Sequence, residues 1–149
     1  MEEILALDML TLRVHTLAVG GEFTPESHRT ALAAVLPKSK IVKIHRGAVL
    51  AGYTYLWPKG GGLWFVGGFG IHPDFRFGRV IAQLLAELKA LVEQEAITEL
   101  QSHVYKTNQH SIALHRRLGF QLIQENQKGF AFSLKLADYA NPLQSFPNT

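Results

Sequence analysis

A chain of 149 residues, 47% hydrophobic and 18% charged, is long enough to bury one sizeable core and too short for two ordinary domains. It contains no cysteine, which excludes disulfides, thiolate metal ligands and a cysteine nucleophile, and suits a reducing compartment. Its formal charge is +3, with Arg116-Arg117 the only adjacent basic pair. Nucleic-acid binders concentrate basic residues on one face, so this scatter argues against such a partner and suits a small phosphorylated ligand.

The N-terminus opens with Glu2 and Glu3 and builds no basic, apolar, small-residue series, so no signal peptide is expected. No window reaches the ~18 apolar residues of a membrane span. A cytoplasmic protein without a membrane partner is the expectation, and the low charge content leaves room for a homodimer interface.

In chain order, Ile4, Leu7, Leu10, Val14 and Leu17 recur three or four apart and predict an amphipathic helix from Glu3 to Ala18, stopped by Gly20-Gly21. Thr24-Pro25 predicts the start of a second helix, which runs through Leu32 and Val35 and ends at Pro37. Lys40 to His45 and Ala48 to Trp57 read as strands about a turn at Arg46-Gly47, and Pro58 to Gly62 reads as a further turn. The next strand, Leu63 to Ile71, carries Gly67, Gly68 and Gly70, which mark a bulge or a close approach to the backbone.

After a loop at His72 to Phe75, Val80, Ile81, Leu84, Leu85, Leu88, Leu91 and Val92 form the apolar stripe of a long helix. Ile97 to Tyr105 is a strand, and Asn108 caps a short helix that Gly119 closes. Phe120 to Gln124 and Phe130 to Leu136 predict an antiparallel pair with one buried face, and residues 137–149 read as a loose tail. The order implies a single α/β domain over 1–149: a helical part at 1–39, then a mixed α+β sheet at 40–136 whose strands exchange through crossover helices.

Two segments can carry chemistry. Gly70 to Arg79 joins a strand to a helix N-terminus, where free backbone N–H groups hold a phosphate, with Arg76 and Arg79 either reinforcing it or simply solvated. Asn108 to Phe120 compresses a helix start, body and stop into one run, and His115 shares its face with Ile112 and Leu118. On periodicity alone such a histidine is more often packed and hydrogen-bonded than catalytic.

Together these segments resemble the GCN5-related N-acetyltransferase superfamily. Ile71-His72-Pro73-Asp74-Phe75-Arg76 is similar to its lead-in to the acetyl-CoA pyrophosphate loop, and Asn108 through Leu118-Gly119-Phe120 to its second signature. The resemblance covers about Lys40 to Leu136, and the family's usual first strand is missing or replaced by helix. It implies acetyl-CoA as co-substrate. The pyrophosphate would lie on backbone groups of Phe77, Gly78, Arg79, Val80, Ile81 and Ala82 beside Arg76. The pantetheine arm would follow Gly70 and Ile71, with Asn108 contacting it.

His115 stands where relatives carry the tyrosine that protonates the leaving thiolate, and phosphinothricin-type acetyltransferases are similar in having histidine there. Arg79 and Ile81 depart from the small residues usual in the loop. No ionisable side chain lies between Trp64 and Ile71, so the candidate bases are His103, His72, Glu22 and Glu26. His103 alternates away from the positions that share a face with Leu100 and suits a base at neutral pH.

The resemblance implies direct attack by a primary amine of a small molecule, backbone N–H stabilisation of the oxyanion near a bulge at Gly70, and no metal. Tyr53, Tyr55, Trp57 and Trp64 suggest an aromatic-walled acceptor site. The alternative is a non-catalytic relative that binds coenzyme A or a protein partner.

Overall fold

The computed structural model describes residues 1–76 and 79–136. Three helices come first, α1 (Glu2–Thr11), α2 (Arg13–Ala18) and α3 (Pro25–Val35). They are followed by β1 (Lys40–Arg46), β2 (Val49–Gly60), β3 (Leu63–Ile71), α4 (Arg79–Gln94), β4 (Glu99–Tyr105), α5 (Gln109–Arg117), β5 (Gln121–Glu125) and β6 (Gly129–Lys135). The strands form one six-stranded mixed sheet in the order β1-β2-β3-β4-β6-β5. Among the described residues the chain enters this sheet at Lys40, with helices in place of a preceding strand.

The single N-terminal helix expected from Glu3 to Ala18 is instead two, broken at Leu12. Ile4, Leu5, Leu7 and Asp8 are buried, whereas Leu10, Val14 and Leu17 of the predicted stripe are exposed. The break at Leu12 redirects the chain, so the apolar spacing beyond it does not report burial. In α3 the sequence signal and the structure agree. Thr24 and Ser27 form a reciprocal capping box, with Pro25 in the first turn. Strand β2 runs on through Pro58 to Gly60, past the expected turn, because Pro58 still pairs with Trp64.

Two layers flank the sheet. On one side Leu56, Trp64, Val66, Leu100 and Leu134 pack against Leu85, Leu88 and Val92 of α4 and against Leu118. On the other, Tyr53, Tyr55 and Leu50 pack against Ile4, Leu5 and Leu7 of α1 and Leu32 of α3. Among the described residues only the passage β3-α4-β4 is a crossover between parallel neighbours; β4 pairs antiparallel with β6, and β6 with β5. Strand β5 is solvent-exposed along its whole length. In β6, Ser133 is buried beside Phe132 and Leu134 because its hydroxyl donates to Glu99 Oε2 at 2.7 Å, so the expected wet face is partly dry.

Parallel pairing between β3 and β4 spans Leu63↔Glu99 to Val66↔Ser102 and then stops. Beyond that point β3 stays on β2 as far as Ile71, and β4 stays on β6 as far as Tyr105. The ladder between β2 and β3 slips at Gly67, which pairs with nothing while Tyr55↔Gly68 and Leu56↔Val66 continue on either side. A one-residue bulge bends its strand and sharpens its twist, and this bend turns β3 away from β4. The bulge therefore sits at Gly67, whereas Gly70, where it was expected, pairs regularly with Tyr53.

The close neighbours of the β3 glycines are also identified. Tyr53, Tyr55 and Trp57 stack along one face of β2, with ring centroids 6.0 and 6.3 Å apart. A Cβ on Gly67 would run into the Trp57 ring, one on Gly68 into Tyr55 and one on Gly70 into Tyr53. Any side chain here must displace a packed ring. Gly67→Ala is expected to cost about 1–3 kcal/mol, the usual penalty of overpacking. Chemical denaturation of the variant checks this, and an unchanged midpoint would contradict the ring-over-glycine packing.

Candidate functional site

The splay of β3 from β4 opens a cavity of about 630 Å³. Its walls come from Val66 to Phe69 of β3, Ser102 to Tyr105 of β4, Asn108, Ser111 and His115 at α5, and Phe130-Ala131 of β6. Leu12, Thr16, Glu22, Phe23, Ser27, His28 and Ala31 close it from the helical side. The edge of β3 that faces β4 has no partner strand from Gly67 onward, so its backbone groups are available to a ligand.

Among the site residues singled out by sequence, Asn108, His103, His115 and the base candidate Glu22 line this one cavity. Asn108 caps α5, its Oδ1 accepting from the Ser111 N–H at 3.2 Å. His103 projects on the α1–α3 side of the sheet with Gln101 and Tyr105, because Leu100, Ser102 and Val104 take the buried face. It rests edge-on against Phe65 with centroids 5.0 Å apart and makes no hydrogen bond to another described residue.

His115 is only 7% exposed. Its ring lies against Phe120 and Phe132, at 4.8 and 5.1 Å, and its Nδ1–H donates to the Ser111 carbonyl at 2.6 Å. That bond fixes the tautomer, leaving the lone pair on Nε2. No buried side-chain nitrogen or oxygen among the described residues lacks a partner, so Nε2, which has none, reaches open space. Burial holds the imidazole below its ordinary pKa, against the opposing pull of the Ser111 carbonyl. At neutral pH the ring is thus an uncharged proton acceptor.

Of the remaining predicted cofactor residues, those that are described lie apart from the cavity walls. Gly70 and Ile71 end β3, and the Ile71 side chain packs with Ala51, Val80 and Phe75. Arg76 follows the 3-10 turn Pro73–Phe75, in which His72 Nδ1 accepts from the Asp74 N–H at 3.1 Å. Phe77 and Gly78 lie outside the described residues. At the start of α4 Arg79 is exposed, Val80 is buried, and Ile81 and Ala82 are half-buried.

His15 and Arg76 lie between this loop and the cavity. His15 of α2 is hydrogen-bonded to the Thr107 hydroxyl at 2.7 Å. Its pKa is held down first by burial and then by Arg76 and His110. Among the described residues no group of three or more His, Asp or Glu side chains is arranged to hold a metal ion. No helix there is long and apolar enough to cross a membrane.

The aromatic wall differs from expectation. Trp64 and Tyr53 belong to the two cores, whereas Tyr55, Phe23 and Phe130 reach the cavity. Burial, and secondarily Asp8, pushes the Tyr55 hydroxyl up to about 12, so it remains a neutral donor at physiological pH.

Sequence reasoning missed Asp8 and His28. Asp8 is fully buried, with Oδ2 2.6 Å from His28 Nε2 and Oδ1 accepting from the Tyr53 hydroxyl. The signal was present: Asp8 sits four residues after Ile4, on the buried stripe of α1. A carboxylate in such a place is buried only if it is paired.

Linkage gives the site a pH signature. His115 binds fewer protons folded than unfolded between its depressed pKa and the ordinary 6.5, so its contribution to stability is complete above 6.5 and lost as pH falls through the folded value. Tyr55 acts oppositely, losing its contribution as pH rises from 10.0 to about 12. Thermal melts of His115→Asn, which retains a donor toward the Ser111 carbonyl, are expected to show a shallower decline below pH 6.5 than the wild type. An identical slope would place the titrating groups elsewhere.

A family model described as the acetyltransferase (GNAT) family matches residues 14–120. No curated protein matches. Among solved structures, a GNAT-family acetyltransferase from Staphylococcus aureus Mu50 superposes with a TM-score of 0.71 at 10% identity, covering 91% of this chain and 92% of that one. The PaiA N-acetyltransferase of Thermoplasma acidophilum, in complex with coenzyme A, gives 0.70 at 13% identity, with 90% and 91% covered. An acetyltransferase from Thermus thermophilus gives 0.68 at 17%, with 91% and 90% covered. At these identities the superpositions establish the fold, and the family match extends over more than half of the sequence. The chain belongs to the GNAT acetyltransferase family.

Proposed function

We propose that this protein transfers an acetyl group from acetyl-CoA to the primary amine of a small molecule by direct attack. The observation that carries the reading is the unpaired edge of β3 from Gly67 onward, which forms one wall of a cavity large enough for the reacting ends of two ligands. The pantetheine arm pairs with that edge as an added strand, and the pyrophosphate lies toward the N-terminal end of α4, near Arg76 and Arg79. The solved complexes with coenzyme A on this fold support the assignment.

The helical wall favours a small acceptor. Leu12, Phe23, Ala31 and Tyr55 enclose it with apolar and aromatic surface, while Glu22 supplies a carboxylate suited to a cationic amine. The amine must be neutral and about 3 Å from the thioester carbon before it attacks. Backbone N–H groups at the Gly67 bulge are suited to the developing oxyanion.

When the tetrahedral intermediate collapses, the C–S bond breaks, its electron pair goes to sulfur, and the amine nitrogen gives up a proton. His115, neutral and open at Nε2, is suited to take that proton and return it to the departing thiolate. It therefore acts as a relay rather than as a standing acid, which its depressed pKa disfavours.

Calorimetric titration with acetyl-CoA is expected to give micromolar, near-stoichiometric binding, and thiol release across an amine panel is expected to identify an acceptor. His115→Asn should lower kcat by about 10²-fold with little change in acetyl-CoA affinity. No binding at millimolar acetyl-CoA would overturn the reading. Binding without turnover would favour the non-catalytic alternative.

A further inference from the structure

We propose that His28, held by Asp8, is the base that deprotonates the acceptor amine. The proposal rests on the acetyl-transfer reading above and adds to it the group that prepares the nucleophile. It does not follow from the known motifs, since both residues lie in the helical segment ahead of β1.

Three observations converge. First, the His28 ring lines the acceptor side of the cavity, on α3, across from the splayed strands that bear His103 and the Gly67 bulge. Second, one of its nitrogens is committed. Nε2–H donates to Asp8 Oδ2 at 2.6 Å, and Phe23 stacks on the ring at 4.5 Å, so the plane and the tautomer are both set. Nδ1 then carries the lone pair. It has no partner, and since no buried polar side-chain atom among the described residues is unsatisfied, it reaches open space.

Third, Asp8 is itself positioned. It is fully buried on α1 behind the ring and does not line the cavity, and its second oxygen is satisfied by the Tyr53 hydroxyl of β2. Burial first, and then Asp8, raises the Tyr53 pKa well above its ordinary value, so that hydroxyl stays a donor.

A carboxylate that orients a cavity-lining histidine through one ring nitrogen is the arrangement by which an imidazole is held in one tautomer, with its other nitrogen left to act as a base. The base candidates read from sequence lack this support: Glu22 lines the cavity but has no hydrogen-bonding orienter among the described residues. His103 has no hydrogen-bonding orienter among the described residues. His72 lies outside the cavity walls, with Nδ1 occupied by the Asp74 N–H. Glu26 sits in the first turn of α3 and does not line the cavity.

The step balances. An alkylammonium loses one N–H proton to His28 Nδ1, the electron pair of that bond stays on nitrogen, and the imidazolium faces Asp8. The freed amine attacks the thioester carbon, and the imidazolium later returns its proton to water. Asp8 and Tyr53 are positioning residues. The other ionisable side chains that line the cavity with the ring are Glu22, Tyr55, His103, Tyr105, His115, Glu125 and Lys128, and α3 itself carries Glu26 and Arg29.

The test is a pH profile of kcat/KM between about pH 6 and pH 10, with acetyl-CoA and the best amine of the panel, for the wild type and His28→Gln. Glutamine can keep an N–H donor toward Asp8 but provides no base. The expected result is a loss of about 10²-fold or more at neutral pH, with rates converging where the amine is already uncharged. Acetyl-CoA affinity and melting temperature should stay close to wild type. Asp8→Asn, which removes the carboxylate that orients the ring, should lower kcat/KM in the same direction with acetyl-CoA affinity unchanged.

If His28→Gln keeps both rate and acid limb while the wild type is active, the base assignment falls and acetyl transfer stands. If the wild type binds acetyl-CoA but acetylates no amine, both fall. A readout independent of turnover is the imidazole nitrogen NMR spectrum, where an Nε2–H tautomer of His28 is expected and an Nδ1–H tautomer would overturn the proposal.

Discussion

Four residue pairs join β3 to β4, and the arrangement of the molecule turns on the place where the fourth ends. Each of these strands is held on its outer side by a full-length neighbour, β2 for β3 and β6 for β4. With a bulge at Gly67 adding local twist, the two halves of the sheet diverge and cannot re-pair. An open backbone edge inside a domain is costly unless water or a ligand satisfies it, and here it faces a cavity. The helices are placed accordingly: α4 lies across β1 and β2 and reaches Leu100 and Leu134, α5 begins beside the gap, and α2 and α3 close it from the opposite face.

The glycines and aromatics of β2 and β3 are two sides of one constraint. Tyr53, Tyr55 and Trp57 need the space over β3 that side chains at 67, 68 and 70 would fill. The stack in turn fixes the direction of the Tyr53 hydroxyl toward Asp8 and brings Tyr55 to the cavity wall. The packing that allows the bulge thereby also sets the polar groups of the acceptor side.

Burying Asp8 is unfavourable in isolation and becomes tolerable through two donors from different elements, α3 and β2. This adds a polar tie between the N-terminal helices and the sheet beside the apolar contacts of Ile4, Leu5 and Leu7. The exposed Val14 and Leu17 show how little of α2 is held by burial. A polar anchor of this kind specifies geometry as well as attachment, since it works only when both donors reach their oxygens.

The sequence determined whatever depends on neighbours close along the chain. Capping by Thr24 and Asn108, the stripe of α4, the limits of β3 and the helix-first entry into the sheet follow from spacing and local chemistry, and the two signature runs carried the family. The pairing of Gly67, the break at Leu12, the burial of Ser133 and the union of Asp8, His28 and Tyr53 were decided only by tertiary structure. Asp8 and Tyr53 are 45 residues apart, and no local pattern encodes which distant donors meet a buried carboxylate. The same holds for the cavity, because a gap between strands is fixed by what each strand pairs with on its far side, and that is a property of the assembled sheet.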